Sequence, residues 1–209
     1  MRIEGSVGET KRIVVPQPAA PPPLPVAAIA STPPVQNQSI QPLALPAGCE
    51  HHVFLSHDWG ENGINHLFVK RVREKLRSVG ISAWFDEELI DRAPDMQVAM
   101  SSGIDNSAIV LCFITLDYLE KVNQGDSRDN CCFEFGYAFQ QKGSNGMVAV
   151  VVDDRSTDTR DWRGKVGGAI GNRLYVNMVL NHSNGVDDGF DNNFAKLHTR
   201  IRREVQRLL

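Results

Sequence analysis

Polar side chains collect where apolar runs end, at Ser56-His57-Asp58-Trp59, Asp86-Glu87-Glu88, Thr115-Leu116-Asp117 and Asp153-Asp154. In a parallel sheet, ligands sit at the carboxyl ends of the strands, so these clusters are where chemistry is sought first. No GxxxxGK followed by Ser or Thr occurs, which removes a P-loop nucleotide site. The stretch Gly167-Gly168-Ala-Ile-Gly171 lacks GxGxxG spacing and does not open a helix after the first strand, so a dinucleotide cradle is not expected. A phospho-receiver would need an aspartate ending the third run and a lysine after the fifth. Here the third run ends Ile114-Thr115, and no such lysine follows. His51, His52, His57 and Asp58 are metal-ligand types, but a strand sends alternate side chains to opposite faces, so no metal site is expected from them.

The elements that would position these groups are legible as alternating runs. His52-Val-Phe-Leu-Ser56, Ile81-Ser-Ala-Trp-Phe85, Met147-Val-Ala-Val-Val-Val152 and Leu174-Tyr-Val176 read as strands, and Ala108-Ile-Val-Leu-Cys-Phe-Ile114 as a central one covered on both faces. Ile64, Leu67, Phe68, Val72, Leu76 and Val79 recur at helical spacing until Gly80 stops them. Pro94 and Asp95 open a short helix to about residue 105. After a polar loop a further helix spans Asn130 to Gln141, and a last one carries Phe194, Leu197, Ile201, Val205 and Leu208. Strand–helix alternation predicts an α/β fold with a parallel five-stranded sheet and helices on both faces.

Ten of the eleven prolines lie in the first 46 residues, whereas every Phe, Trp and Tyr lies beyond residue 50. The composition therefore divides the 209 residues into a Pro/Ala-rich leader, 1–48, expected to be disordered, and one domain, 49–209. Pro18 with Pro21, and Pro22 with Pro25, fit the PxxP spacing that SH3-type modules read, although such spacing arises by chance in any Pro/Ala-rich tract and a plain spacer is the simpler reading. Residues 1–48 hold 3 basic and 2 acidic residues, which leaves 19 basic and 23 acidic in the domain, a net of −4. That balance argues against a nucleic-acid partner. No apolar run reaches the length of a membrane span. Cys49, Cys112, Cys131 and Cys132 have no zinc-type spacing and read as free thiols of a cytoplasmic protein, Cys112 as a core thiol.

Several of these stretches together resemble one family. Val53-Phe-Leu-Ser-His57 resembles the first box of TIR (Toll/interleukin-1 receptor) domains, and Ile81-Ser-Ala-Trp-Phe-Asp86 their second strand leading into the BB loop. Gly103-Ile-Asp-Asn-Ser107 with Ala108 to Thr115, and Tyr118-Leu-Glu-Lys-Val122, are similar to the segment before the family's helix C. Asp129-Asn-Cys-Cys-Phe-Glu134 is similar to that helix's start. The match runs from about residue 51 to 177, and it implies the flavodoxin-like, doubly wound TIR fold.

The resemblance also implies roles. Some TIR domains cleave NAD+ at the nicotinamide–ribose bond, and there the helix-C glutamate, here Glu134, would be catalytic. Ser56, His57, Asp58, Glu88 and Asn130 would contact the substrate, with Glu87 an alternative to Glu88. His57 and Asp58 stand where some catalytic relatives carry an aromatic and a basic residue. NAD+ would be substrate, with no cofactor. Asp91, Arg92, Pro94 and Asp95 match the BB loop that mediates TIR–TIR contacts, which implies other TIR domains as partners and a homo-oligomer. Asp95 is equally well placed to cap the next helix. The same resemblance admits a non-catalytic TIR adaptor.

Overall fold

The computed structural model describes residues 42–86, 95–126, 128–180 and 189–209. Glu87, Glu88, Asp91, Arg92, Pro94 and the Pro-rich stretch through residue 41 lie outside the described residues. Five parallel strands, β1 (His51–Ser56), β2 (Ala83–Trp84), β3 (Ser107–Ile114), β4 (Met147–Val151) and β5 (Val176–Asn177), pair in the order β2-β1-β3-β4-β5. This is the flavodoxin-like order, whose reversal of winding falls between β1 and β3. All eight residues of β3 are buried, as its unbroken apolar run requires.

Strand alternation gives the sheet two different faces. Val53 and Leu55 of β1 point to the face covered by α1 (Ile64–Ser78) and α6 (Phe190–Gln206), packing with Val72, Leu76, Leu197 and Ile201. Phe54, Val110, Cys112 and Ile114 point to the other face. There they meet α2 (Met96–Asp105), α3 (Leu116–Gln124), α4 (Asn130–Lys142) and α5 (Gly164–Ile170) through Ile104, Tyr118, Phe135 and Val166. Each such aliphatic or aromatic side chain contributes about 1.5–3 kcal/mol on burial, before ordering entropy. Leu43, ahead of the expected boundary, is also in the first cluster, and its carbonyl lies 3.0 Å from His52 Nε2.

Local signals account for the element ends. Gly80 at φ +78° lets α1 close in a Schellman turn: the Gly80 N–H donates to Arg77 O and the Ile81 N–H to Leu76 O, while Leu76 and Ile81 join the same core. The Asp95 carboxylate accepts from the amides of Gln97 and Val98, so it caps α2. Gly103 lies directly under the Trp84 indole, which stacks on Phe54 at 4.4 Å, so a side chain at 103 would collide with it.

Four expectations are corrected. Ile64 and Leu67 are 65% and 63% exposed, because α1 is rotated so that His66, Val69, Val72 and Leu76 face inward. Leu208 lies past the end of α6 and is exposed. The fifth strand begins at Val176, leaving Leu174 exposed. The polar stretch after β3 is helical: Thr115 accepts from the Tyr118 N–H and starts α3 immediately. Among the described residues, no helix is long and apolar enough to cross a membrane.

Candidate functional site

The switch between β1 and β3 places Ser56 beside α4. Ser56 ends β1 on the same face as Phe54, and α4 packs over that face with Cys131, Phe135 and Ala138 inward. Glu134, one residue before Phe135, is carried inward with them and is 5% exposed. The Asp129 carboxylate caps α4 through the Cys132 N–H, and the Cys131 thiol reaches His57 O at 3.5 Å, which fixes the helix against the end of β1.

Ser56 Oγ donates to Glu134 Oε2 at 2.7 Å. Its one proton is thereby used, so the Tyr118 hydroxyl, 2.9 Å away, donates to Ser56 Oγ. Burial pushes the Glu134 carboxyl up to about 8; the Ser56 hydrogen bond opposes the rise, and the negative charges of Asp86 and Asp129 add to it. Burial raises Tyr118 well above its ordinary value, which keeps it a donor. Burial likewise raises Cys112 to about 12, so it is an inert core thiol.

The neighbouring polar groups divide into two kinds. Asp58 is buried with both oxygens engaged, accepting from Thr115 Oγ1 at 2.5 Å and Asn65 Nδ2 at 2.8 Å. It ties the end of β1 to the end of β3 and is shielded from solvent. His57 is buried as well, with Nδ1 3.2 Å from Leu55 O and Nε2 2.9 Å from His66 Nδ1. Burial lowers its basicity, with the Asp86 charge opposing.

A cavity of about 280 Å³ opens beside Glu134, lined by His57, Trp59, Asp86, Lys121, Arg128, Asp129, Asn130 and Cys131. Of the sequence-selected residues, it brings together Glu134, His57 and Asn130. Ser56 and Asp58 stand behind its wall. The BB-loop residue Asp95 is placed only by its capping bonds. Larger cavities lie elsewhere, one of about 630 Å³ at the amino edge of the sheet beside Glu204 and one of about 620 Å³ between α1 and the end of β4. Neither contains a buried carboxyl group with a raised pKa, so the smaller cavity is the stronger candidate.

Sequence reasoning missed Lys121 and Arg128 on this wall and His66 behind it. Lys121 follows Tyr118 by three residues, a helical spacing that would have placed both on one face had α3 been foreseen. Nothing local marks His66, which sits between polar and exposed neighbours.

A family model described as a TIR domain matches residues 53–197. The chain belongs to the TIR-domain family. No curated protein matches it by sequence. Its fold is similar to that of a prokaryotic SEFIR domain, with a TM-score of 0.54 at 16% identity over 74% of this chain and 92% of that one. A TIR–STING receptor from C. gigas, solved with 2',3'-cGAMP, matches with a TM-score of 0.53 at 16% identity. That match covers 78% of this chain and 42% of the receptor. The TIR domains of the activated Roq1 resistosome, which recognises the effector XopQ, match with a TM-score of 0.51 at 19% identity over 72% of this chain and 99% of theirs. At these identities the likeness is one of fold, and it agrees with the β2-β1-β3-β4-β5 sheet of this TIR domain.

Proposed function

We propose that this TIR domain is a signalling protein that self-associates and, when associated, cleaves NAD+ to nicotinamide and ADP-ribose or its cyclic form. The observation that carries the reading is Glu134: a carboxyl group buried at the carboxyl edge of the sheet, held by one serine hydroxyl and raised to about 8. A buried carboxylate with no cationic partner favours a cationic ligand, and the nicotinamide ring of NAD+ is one.

In the proposed reaction the C–N bond to the nicotinamide breaks and both electrons go to the ring nitrogen, neutralising the pyridinium. No general acid is required. The ribosyl oxocarbenium left behind is stabilised by the Glu134 carboxylate, directly or through a ribose hydroxyl. Water adds to C1′ and releases one proton, giving ADP-ribose; attack by the adenine ring instead gives the cyclic product. Lys121 and Arg128 on the cavity wall are the cations available to the diphosphate. Tyr118 and Ser56 orient the carboxylate.

One observation favours a second reading, a TIR adaptor without catalysis. The cavity beside Glu134 is at the small end for a binding site. Nicotinamide release by the purified protein decides between the two. Turnover per protomer that rises with protein concentration and vanishes in Glu134→Ala supports the enzyme. No release under crowding, at high concentration, leaves the adaptor. The loop holding Asp91, Arg92, Pro94 and Asp95 is the proposed self-association surface, and Arg92→Glu should shift the oligomer distribution toward monomer. The possible SH3-type reader of the leader is tested by binding to a peptide of residues 16–27.

A further inference from the structure

His57, His66 and Asp86 reach one point from three elements: the end of β1, the first turn of α1 and the end of β2. Their ligand atoms all lie within 4.8 Å of one another. His57 Nε2 is 2.9 Å from His66 Nδ1, and His66 Nδ1 is 4.0 Å from Asp86 Oδ1. We propose that these three residues form a binding site for a transition-metal dication of the zinc type.

Three features make this a ligand set rather than a chance meeting. First, His57 Nδ1 faces Leu55 O at 3.2 Å, and a carbonyl can only accept. The ring proton is thereby fixed on Nδ1 and the Nε2 lone pair points at the cluster, the outer-shell arrangement of metal-bound histidines. Second, Asp86 Oδ2 accepts from Trp59 Nε1 at 3.4 Å, whereas Oδ1 is buried and takes no hydrogen bond among the described residues. A bound cation would supply the partner that Oδ1 lacks. Third, the two imidazoles are already immobilised: His66 stacks on Trp59 at 4.4 Å and on Phe85 at 4.8 Å, and His57 on Phe85 at 5.4 Å. Little rotamer freedom remains to be lost on binding.

The donor set selects the ion. Two imidazole nitrogens and one carboxylate oxygen suit zinc and its neighbours, while calcium and magnesium favour all-oxygen shells. Two donors each about 2.0–2.1 Å from a tetrahedral ion lie roughly 3.3–3.4 Å apart, so the rings, whose nitrogens are now 2.9 Å apart, part slightly while the Asp86 carboxylate swings inward. His66 then carries its proton on Nε2, and the ion takes the place of the hydrogen bond between the rings. His57 and Asp86 also line the cavity beside Glu134, so the fourth coordination position opens toward solvent there.

The test uses the full, tag-free chain stripped with chelator. Titration with Co2+ should give visible bands of a four-coordinate site saturating at one ion per chain, and Zn2+ should displace it and raise the melting temperature. His66→Phe keeps a stacking ring and removes a ligand; Asp86→Asn keeps the shape and removes the charge. Each should weaken Zn2+ binding by at least about tenfold. Cys131→Ser and Cys132→Ser should leave it unchanged. Failure of the wild type to bind either ion saturably overturns the proposal. So does unchanged affinity in Asp86→Asn, or loss in a cysteine variant with retention in His66→Phe.

Discussion

Two glutamates of this molecule are almost equally buried, and their surroundings could hardly differ more. Glu134 on α4 is 5% exposed and Glu204 on α6 is 4% exposed. Glu204 is surrounded by guanidinium groups, with Arg200 Nε at 2.7 Å, Arg203 Nη2 at 3.1 Å and Arg207 Nη1 at 2.7 Å. Burial pushes its carboxyl up, but the bonds from Arg203 and the charges of Arg200 and Arg207 outweigh that, and its pKa falls below the ordinary value. Glu134 has a single serine hydroxyl and two acidic neighbours, and burial takes it up to about 8. Burial is therefore not what separates the two carboxyl groups. The countercharge is: three guanidinium groups surround Glu204, and among the described residues none bonds Glu134.

The sharpest way to break this contrast is Glu134→Gln. The amide keeps the shape and removes the charge, so NAD+ cleavage should fall by about 10²- to 10³-fold. Glu204→Gln should leave turnover per folded protomer unchanged. Equal losses of turnover in the two variants would show that burial, not the missing countercharge, was being measured.

Stability should show the reverse ranking. Removing the Glu204 charge leaves three guanidinium groups facing one another, and Glu204→Gln should lose about 1–3 kcal/mol at pH 7, held to this range because Arg203 and Arg207 are half exposed. The pH dependence carries the sign. Glu204 has a depressed folded pKa, so its contribution is present above the unfolded value of about 4.5 and is lost as pH falls through the folded one. Glu134 has a raised folded pKa, so the native state holds a proton that the unfolded chain releases. The wild type thus loses stability as pH rises from about 4.5 to about 8. Glu134→Gln should match it near pH 5 and exceed it near pH 9. Urea midpoints of both variants at the two pH values measure this directly.

The sheet and most helices were legible because burial on both faces writes itself as an apolar run, as in β3, and because Gly80 and Asp95 are strong local stops and starts. The misses have physical reasons. Helix α3 follows β3 without a turn and buries only Tyr118, Leu119 and Val122, too few for its period to stand out. Helix α5 contains Gly167 and Gly168, poor helix formers, yet position 167 has no room for a side chain against the Trp162 carbonyl. In the site, Glu134 could be singled out from its apolar neighbours and the family's pattern. Its pairing with Ser56 could not, since Ser56 lies 78 residues away and is brought close only by the stacking of α4 on β1. The structural part of Asp58 was also hidden, because a sequence does not show that Thr115 and Asn65 each bond one of its oxygens.

A smaller perturbation sharpens the contrast from the other side. The free-enzyme profile of kcat/KM should have an acid limb near 8, rising with pH as Glu134 ionises. Ser56 supplies the hydrogen bond that favours the charged form, so Ser56→Ala should move the limb upward. At pH 7 that lowers kcat/KM by about three- to tenfold, one pKa unit being tenfold on the acid side. Well above the limb the loss should shrink, because the carboxylate is then ionised in both proteins. Ser56→Thr, which retains the hydroxyl at the end of a strand that tolerates β-branching, should restore the wild-type limb. A downward shift in Ser56→Ala would mean that the hydroxyl stabilises the protonated acid, and Glu134 would then meet an incoming cation as a hydrogen-bond donor rather than as a charge.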